Sequence, residues 1–221
     1  VDENKTLLGV VLRRDILEAE TKRLTQEHLE TQGIVGGDEL RTMPVFLRAR
    51  RRLSWLSVNI LLNIIAASVI AYYEEVLTAV IALAVFLPII SDMSGCSGNQ
   101  AVAVSMRELS IGAVKPKELL RVWLQEIKVG LINGIVLGIL IGAAAWLWKG
   151  NIYLGLVVGG ALSVNTLVAV SIGGTVPLVL KGFNIDPALA SGPILTTITD
   201  MFGFFLALTF AAVALTHLGG I

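Results

Sequence analysis

One cysteine, two histidines and charged side chains at only 15% of 221 positions are what this sequence has little of. Each scarcity excludes something. A lone cysteine, Cys96, rules out an internal disulfide framework. With no CxxC pair and no His/Cys cluster, no zinc site is expected. Soluble domains carry about 25% charged residues, so a chain that is 55% hydrophobic with mean hydropathy +0.79 reads as an integral membrane protein. The formal net charge is zero, and no nucleic-acid partner is expected. Val1 opens no basic region followed by a short apolar run, so no signal peptide is read; the expectation is a piece of a longer protein.

What charge there is lies mostly before Arg52. Within residues 1–40, Leu7–Leu12 reads as a short buried strand. Arg13–Glu30 reads as a charged helix with Ile16, Leu17, Leu24 and Leu29 on its apolar side. A turn follows at Gly33–Asp38. One strand and one helix bury too little to stand alone, which suits the tail of a cytosolic module. His28, among charges, reads as a solvated surface residue. Residues 41–52 read as a linking helix starting near Pro44 and carrying Arg48, Arg50, Arg51 and Arg52. Basic side chains at a membrane entry hold that end in the cytoplasm.

Residues 53–221 read as five membrane spans. The first is Leu53–Tyr72, with Trp55, Tyr72 and Tyr73 as interfacial aromatics. The second starts at Val76, meets the polar run Pro88–Gln100 and ends near Arg107. The third, Val129–Trp148, carries Gly130, Gly134, Gly138 and Gly142 at steps of four, the small-xxx-small pattern of close helix packing. The fourth is Ile152–Leu180, with Asn165, Thr166 and Thr175 as its polar residues, and the fifth Pro187–Leu218. Lys and Arg near the membrane fall on one side except Lys149. The N-terminus is therefore expected in the cytoplasm, and the C-terminus with His217 outside, in a multi-pass protein of the cell inner (plasma) membrane.

Two carboxylates fall at membrane depth. Asp200 is the only ionisable side chain between Asp186 and His217, about 20 Å along a helix begun at Pro187. A charge there costs about 2.5–3.5 kcal/mol or more, so it calls for a partner, a cavity or an ion. Thr196, Thr197, Thr199 and Gly203 surround it, offering hydroxyls and room for close approach. Asp92 sits in the polar run of the second span. Proline, glycines and amides there suit a pore or site wall, because irregular backbone at that depth is tolerated only against protein or a watery cavity. The plainer reading is a kinked helix packed through small residues, with Asn99 and Gln100 as interhelical glue, and Cys96 as a small packing residue.

Three stretches together resemble the MgtE-type magnesium channels and transporters of bacteria, as a C-terminal fragment. Pro88-Ile-Ile-Ser-Asp-Met-Ser-Gly-Cys-Ser-Gly-Asn-Gln100 is similar to that family's second-helix motif. Asp186-Pro-Ala-Leu-Ala-Ser-Gly-Pro193 with Thr196-Thr-Ile-Thr-Asp200 is similar to its fifth-helix motif. Leu8-Gly-Val-Val-Leu-Arg-Arg-Asp-Ile-Leu-Glu18 resembles the end of a CBS domain, which precedes a plug helix in the family. The resemblance implies an all-α homodimer in the bilayer, five helices per subunit, with a pore from helices 2 and 5. It also implies cytosolic domains that bind regulatory Mg²⁺ and close the pore, and it matches Asp200 to the pore aspartate. The family's Gly-Gly-Asn stands here as Ser94-Gly95-Cys96, so an amide ligand is lost, and the position before Pro193, often Asn, is Gly192.

The implied cargo fits the residues. Mg²⁺ gives up water reluctantly and prefers octahedral oxygen, so one or two carboxylates with retained waters suffice. Asp200 and Asp92 supply charge, while Asn99, Thr196 and Thr197 offer oxygens for the outer waters. Without converging thiolates or imidazoles, soft metals are disfavoured. A coupled divalent exchanger needs the same site and stands as the alternative to a channel. An aspartyl intramembrane protease would place its aspartate in a GxGD context, whereas here it stands in Ile-Ser-Asp92 and Ile-Thr-Asp200, so no enzyme is read. A non-conducting scaffold would leave two polar-interrupted helices unexplained.

Overall fold

The computed structural model describes residues 11–31 and 33–218. It divides into two compact units at Ser57/Val58. No strand occurs among the described residues. Most of the expected strand, Leu7–Val10, lies outside them, and Val11 and Leu12 lead irregularly into α1 (Arg13–Thr31).

In the first unit α1 carries Asp15 in its first turn and His28 in its last, each at the end the helix dipole favours. Ile16, Leu17 and Leu24 are exposed along it. The chain then turns through Gly33, Gly36 and Gly37, all with positive φ, where glycine alone escapes a Cβ penalty. Gly33 also lies flat against the Trp55 indole, leaving no room for a side chain. Trp55, read from the sequence as interfacial, is thus packed beneath this turn. Glu39 accepts from Arg48 at 3.1 Å and from Arg52, and Arg51 donates to the Asp38 carbonyl. These bonds tie the loop to the basic start of α2 (Val45–Tyr72). The basic segment and the first expected span are one helix.

The second unit is a helical bundle. α3 (Glu74–Ala79) is short and ends before a turn at residues 80–82. α4 (Leu83–Ser110) follows, then a single 3₁₀ turn at Pro116–Glu118 leading into α5 (Leu119–Lys149). α6 (Ile152–Gly182), α7 (Pro187–Val213) and the short α8 (Leu215–Leu218) complete it. α6 packs on α4, α5 and α7, and α4 also packs on α7. Phe86, Ile90, Leu154, Leu162 and Leu208 fill the shared core, and Trp148 closes on Phe86 edge-to-face at 5.9 Å.

Among the described residues four helices are long and apolar enough to cross a bilayer: Val45–Tyr72, Pro116–Lys149, Ile152–Gly182 and Gly192–Val213. α4 is not among them, although its 28 residues extend about 42 Å. Its deficit is the polar run from Ser91 to Gln100. That run is helical throughout, and the irregular backbone falls earlier, at residues 80–82. The serines explain why no break is needed. Ser94 donates to the Ile90 carbonyl at 2.8 Å and Ser97 to the Met93 carbonyl at 3.2 Å, so their hydroxyls are satisfied within the helix.

The glycine stripe of α5 does what its spacing predicts. A Cβ on Gly134 would stand 2.5 Å from the Ser163 carbonyl, and one on Gly142 2.8 Å from the Gly155 carbonyl. The two backbones touch, and only hydrogen fits between them. At the far end Asn151 caps α6, accepting from the amides of Tyr153 at 2.8 Å and Leu154 at 3.2 Å. Its Nδ2 donates to the His217 carbonyl at 3.1 Å, and the His217 ring stacks on Tyr153 with centroids 4.5 Å apart. These contacts tie α8 to the start of α6.

Candidate cation site

The polar residues of three apolar helices meet at one level of the bundle. Ser91 of α4 donates its hydroxyl to Asp200 Oδ1 on α7. One turn along α4, Ser94 accepts from Asn165 Nδ2 of α6 at 2.6 Å. The same Nδ2 donates to the carbonyl of Thr199, the residue before Asp200, at 2.9 Å. Ser91 and Ser94 share a face of α4 because they lie three residues apart. Gly203 makes the approach possible: a Cβ there would stand 2.7 Å from Asn165 Nδ2.

Asp200 is partly buried, and Ser91 is its side-chain partner across the helix contact. Its carboxylate keeps lone pairs free for a cation or its waters. The threonines of the motif do not turn toward it with their protons. Thr196 donates to the Gly192 carbonyl at 3.0 Å, Thr197 to the Pro193 carbonyl at 2.8 Å, and Thr199 to the Thr196 carbonyl at 3.0 Å. Only their lone pairs remain for a ligand.

Asp92 is exposed, about 100° around α4 from Ser91. Cys96 and Asn99 follow at one- and two-turn spacing and are exposed as well, as is Gln100. They form a polar stripe directed away from the bundle, so Asn99 and Gln100 do not act as glue within the chain. Among the described residues no three His, Cys, Asp or Glu side chains converge. The chain therefore brings together Asp200 with Ser91, Ser94, Asn165 and Thr199, and leaves Asp92 and Asn99 outside that cluster. Ser91, Ser94 and Asn165 are members that the sequence did not single out as site residues, and Asn165 is the one on a helix outside the two motifs. Its signal was present: it and Thr166 are polar residues in a long apolar stretch of α6. Both are fully buried, and Asn165 Oδ1 and Thr166 Oγ1 lack hydrogen-bond partners among the described residues. Each such orphan costs about 1–3 kcal/mol.

The MgtE family profile, described as divalent cation transporter, matches residues 87–210, from α4 through α7. The chain belongs to the MgtE family. The match encloses every residue of the cluster around Asp200. Whole-chain similarity extends further. The chain is 32% identical over 206 residues to the magnesium transporter MgtE of Bacillus subtilis (strain 168), covering 93% of this chain and 46% of that protein. It is 33% identical over 202 residues to the magnesium transporter MgtE of Enterococcus faecalis, covering 90% and 44%. With the magnesium transporter MgtE of Thermus thermophilus it is 32% identical over 218 residues, covering 97% and 48%. The chain spans about half the length of these curated MgtE relatives.

Proposed function

We propose that this chain forms the membrane part of a Mg²⁺ transporter, with Asp200 as the carboxylate that meets the ion. The observation that carries the reading is the meeting of α4 and α7 at Ser91 and Asp200. It joins the two motif-bearing helices at a membrane-depth charge. The relatives named magnesium transporter supply the cargo. Mg²⁺ suits a lone carboxylate with retained waters better than a metal that requires a full protein cage.

The fifth span in this reading is α4. Its exposed Asp92, Cys96, Asn99 and Gln100 make it a poor face for lipid, since polar side chains at that depth turn to protein or water. A second copy related by a two-fold axis gives the stripe a watery partner surface, and it places two Asp200 carboxylates about one path. Asp92 and Asn99, with the lone pairs of Thr196 and Thr197, then face the ion's outer waters. The N-terminus lies in the cytoplasm, where the arginines at 48–52 remain. In the same reading residues 1–40 are the tail of a CBS-like module through which cytosolic Mg²⁺ regulates the pore, and residues 41–52 link it to the membrane part.

Mg²⁺ uptake by Asp200→Asn, measured beside surface expression, tests the assignment. Asn keeps the shape and the bond from Ser91 but removes one charge per subunit. Uptake is expected to collapse at normal expression, and normal uptake in a well-expressed variant sinks the site.

A further inference from the structure

Asn165 is a fully buried amide that the proposed ion path does not itself use. Its Nδ2 bridges two helices at once, reaching Ser94 Oγ at 2.6 Å and the Thr199 carbonyl at 2.9 Å. It runs parallel to the contact of Ser91 with Asp200, three residues along α4 and one residue along α7. The two ties together fix both the distance and the register between α4 and α7 at the level of the carboxylate. Gly203 leaves the space the amide occupies.

Structural economy alone does not explain this residue. Its Oδ1 is buried without a donor among the described residues, so an apolar side chain of similar volume removes an orphan rather than creating one. Nor does Ser94 depend on it, since its one hydroxyl proton is shared between the Ile90 carbonyl at 2.8 Å and the Ser91 carbonyl at 2.9 Å. What the amide uniquely supplies is the cross-helix strut.

We infer that Asn165 is a positioning residue for Asp200 and, through it, a determinant of which divalent cation passes. This rests on the reading of Asp200 as the ion's carboxylate. Mg²⁺ demands near-ideal octahedral geometry, whereas Ca²⁺ accepts six to eight oxygens in flexible arrangements. A carboxylate whose helix drifts relative to α4 therefore loses Mg²⁺ before it loses Ca²⁺. Groups that orient a metal's carboxylate typically account for about 10–100-fold in affinity or activity.

The test is uptake by the full-length protein in proteoliposomes, with Mg²⁺ and Ca²⁺ each titrated, for Asn165→Leu, Ser94→Ala and Asp200→Asn. Thermal melting in detergent is followed in parallel. Asn165→Leu is expected to melt no lower than the parent, to weaken apparent Mg²⁺ affinity at least ~10-fold, and to raise the Ca²⁺:Mg²⁺ uptake ratio. Ser94→Ala, which removes one of the two acceptors and no bulk, moves the ratio the same way by a smaller factor, and it carries the test if the leucine variant does not fold. An unchanged ratio in the folded variants overturns the inference. So does an equal loss for both cations accompanied by a lower melting temperature, because that marks a purely structural strut. If Asp200→Asn itself transports normally, the underlying site reading has failed. If Asp200→Asn is dead while Asn165→Leu and Ser94→Ala keep the parental ratio, only the role of Asn165 has failed.

Discussion

Ser91 Oγ donates to Asp200 Oδ1 across the contact of α4 and α7, joining residues 109 positions apart in sequence. This contact across the helix seam sets where the carboxyl group points. If Asp200 meets the ion as proposed, Ser91→Ala is expected to leave the bundle folded while apparent Mg²⁺ affinity falls about 10–100-fold, the usual effect of removing a group that orients a metal ligand. Concentration dependence of uptake at matched expression reads the change. An unaltered half-saturation point means that Asp200 orients itself.

Asp92 offers the second comparison. It is exposed on the outward stripe of α4, away from the Ser91–Asp200 contact. On the proposed reading Asp92→Asn is expected to reduce Mg²⁺ flux less than Asp200→Asn does, because Asp92 lies away from the meeting of the helices. Equal or greater damage at Asp92 reverses the assignment of the principal carboxylate.

The α5–α6 seam gives a prediction about stability alone. A Cβ on Gly138 would run into Ser163 Oγ and stand 2.6 Å from the Gly159 carbonyl. Gly138→Leu forces the two backbones apart, and overpacking of this kind costs typically about 1–3 kcal/mol, occasionally more. A lowered melting temperature in detergent is the expected readout.

Helix existence and the glycine seam were legible because they rest on local signals. Long apolar runs mark α5, α6 and α7, and a four-residue glycine step marks a packing face. The run from Pro88 to Gln100 was harder to read, since the same residues suit a broken helix or an intact one. Hydroxyls that bond back to their own helix decided for the intact form, and composition does not disclose that choice. Asp200 announced itself by the cost of a charge in an apolar stretch. Its partners did not. Ser91, Ser94 and Asn165 become one cluster only when α4, α6 and α7 pack side by side, and the pairing of residues 94 and 165 has no periodic trace in the chain.

The latch at Glu39 carries a pH dependence with a definite sign. Its hydrogen bond from Arg52, together with that from Arg48 and the attraction of both guanidinium groups, holds the Glu39 carboxyl below the usual glutamate range. A carboxyl whose pKa is lower in the folded than in the unfolded chain binds fewer protons when folded. Its stabilising contribution is thus complete above the ordinary glutamate pKa of about 4.3. It is lost as pH falls through the lower, folded value. The loop from Gly33 to Leu40 is expected to stay tied to the start of α2 at neutral pH and to loosen only in strong acid. Trp55 reports the event, because Gly33 lies against its indole. Acid titration of its emission, after Trp123, Trp146 and Trp148 are replaced by Phe, should show a transition below pH ~4.3. Glu39→Gln should abolish that transition while leaving the neutral-pH fold in place. A transition that persists unchanged in Glu39→Gln assigns the titration to another group and removes the latch from the account.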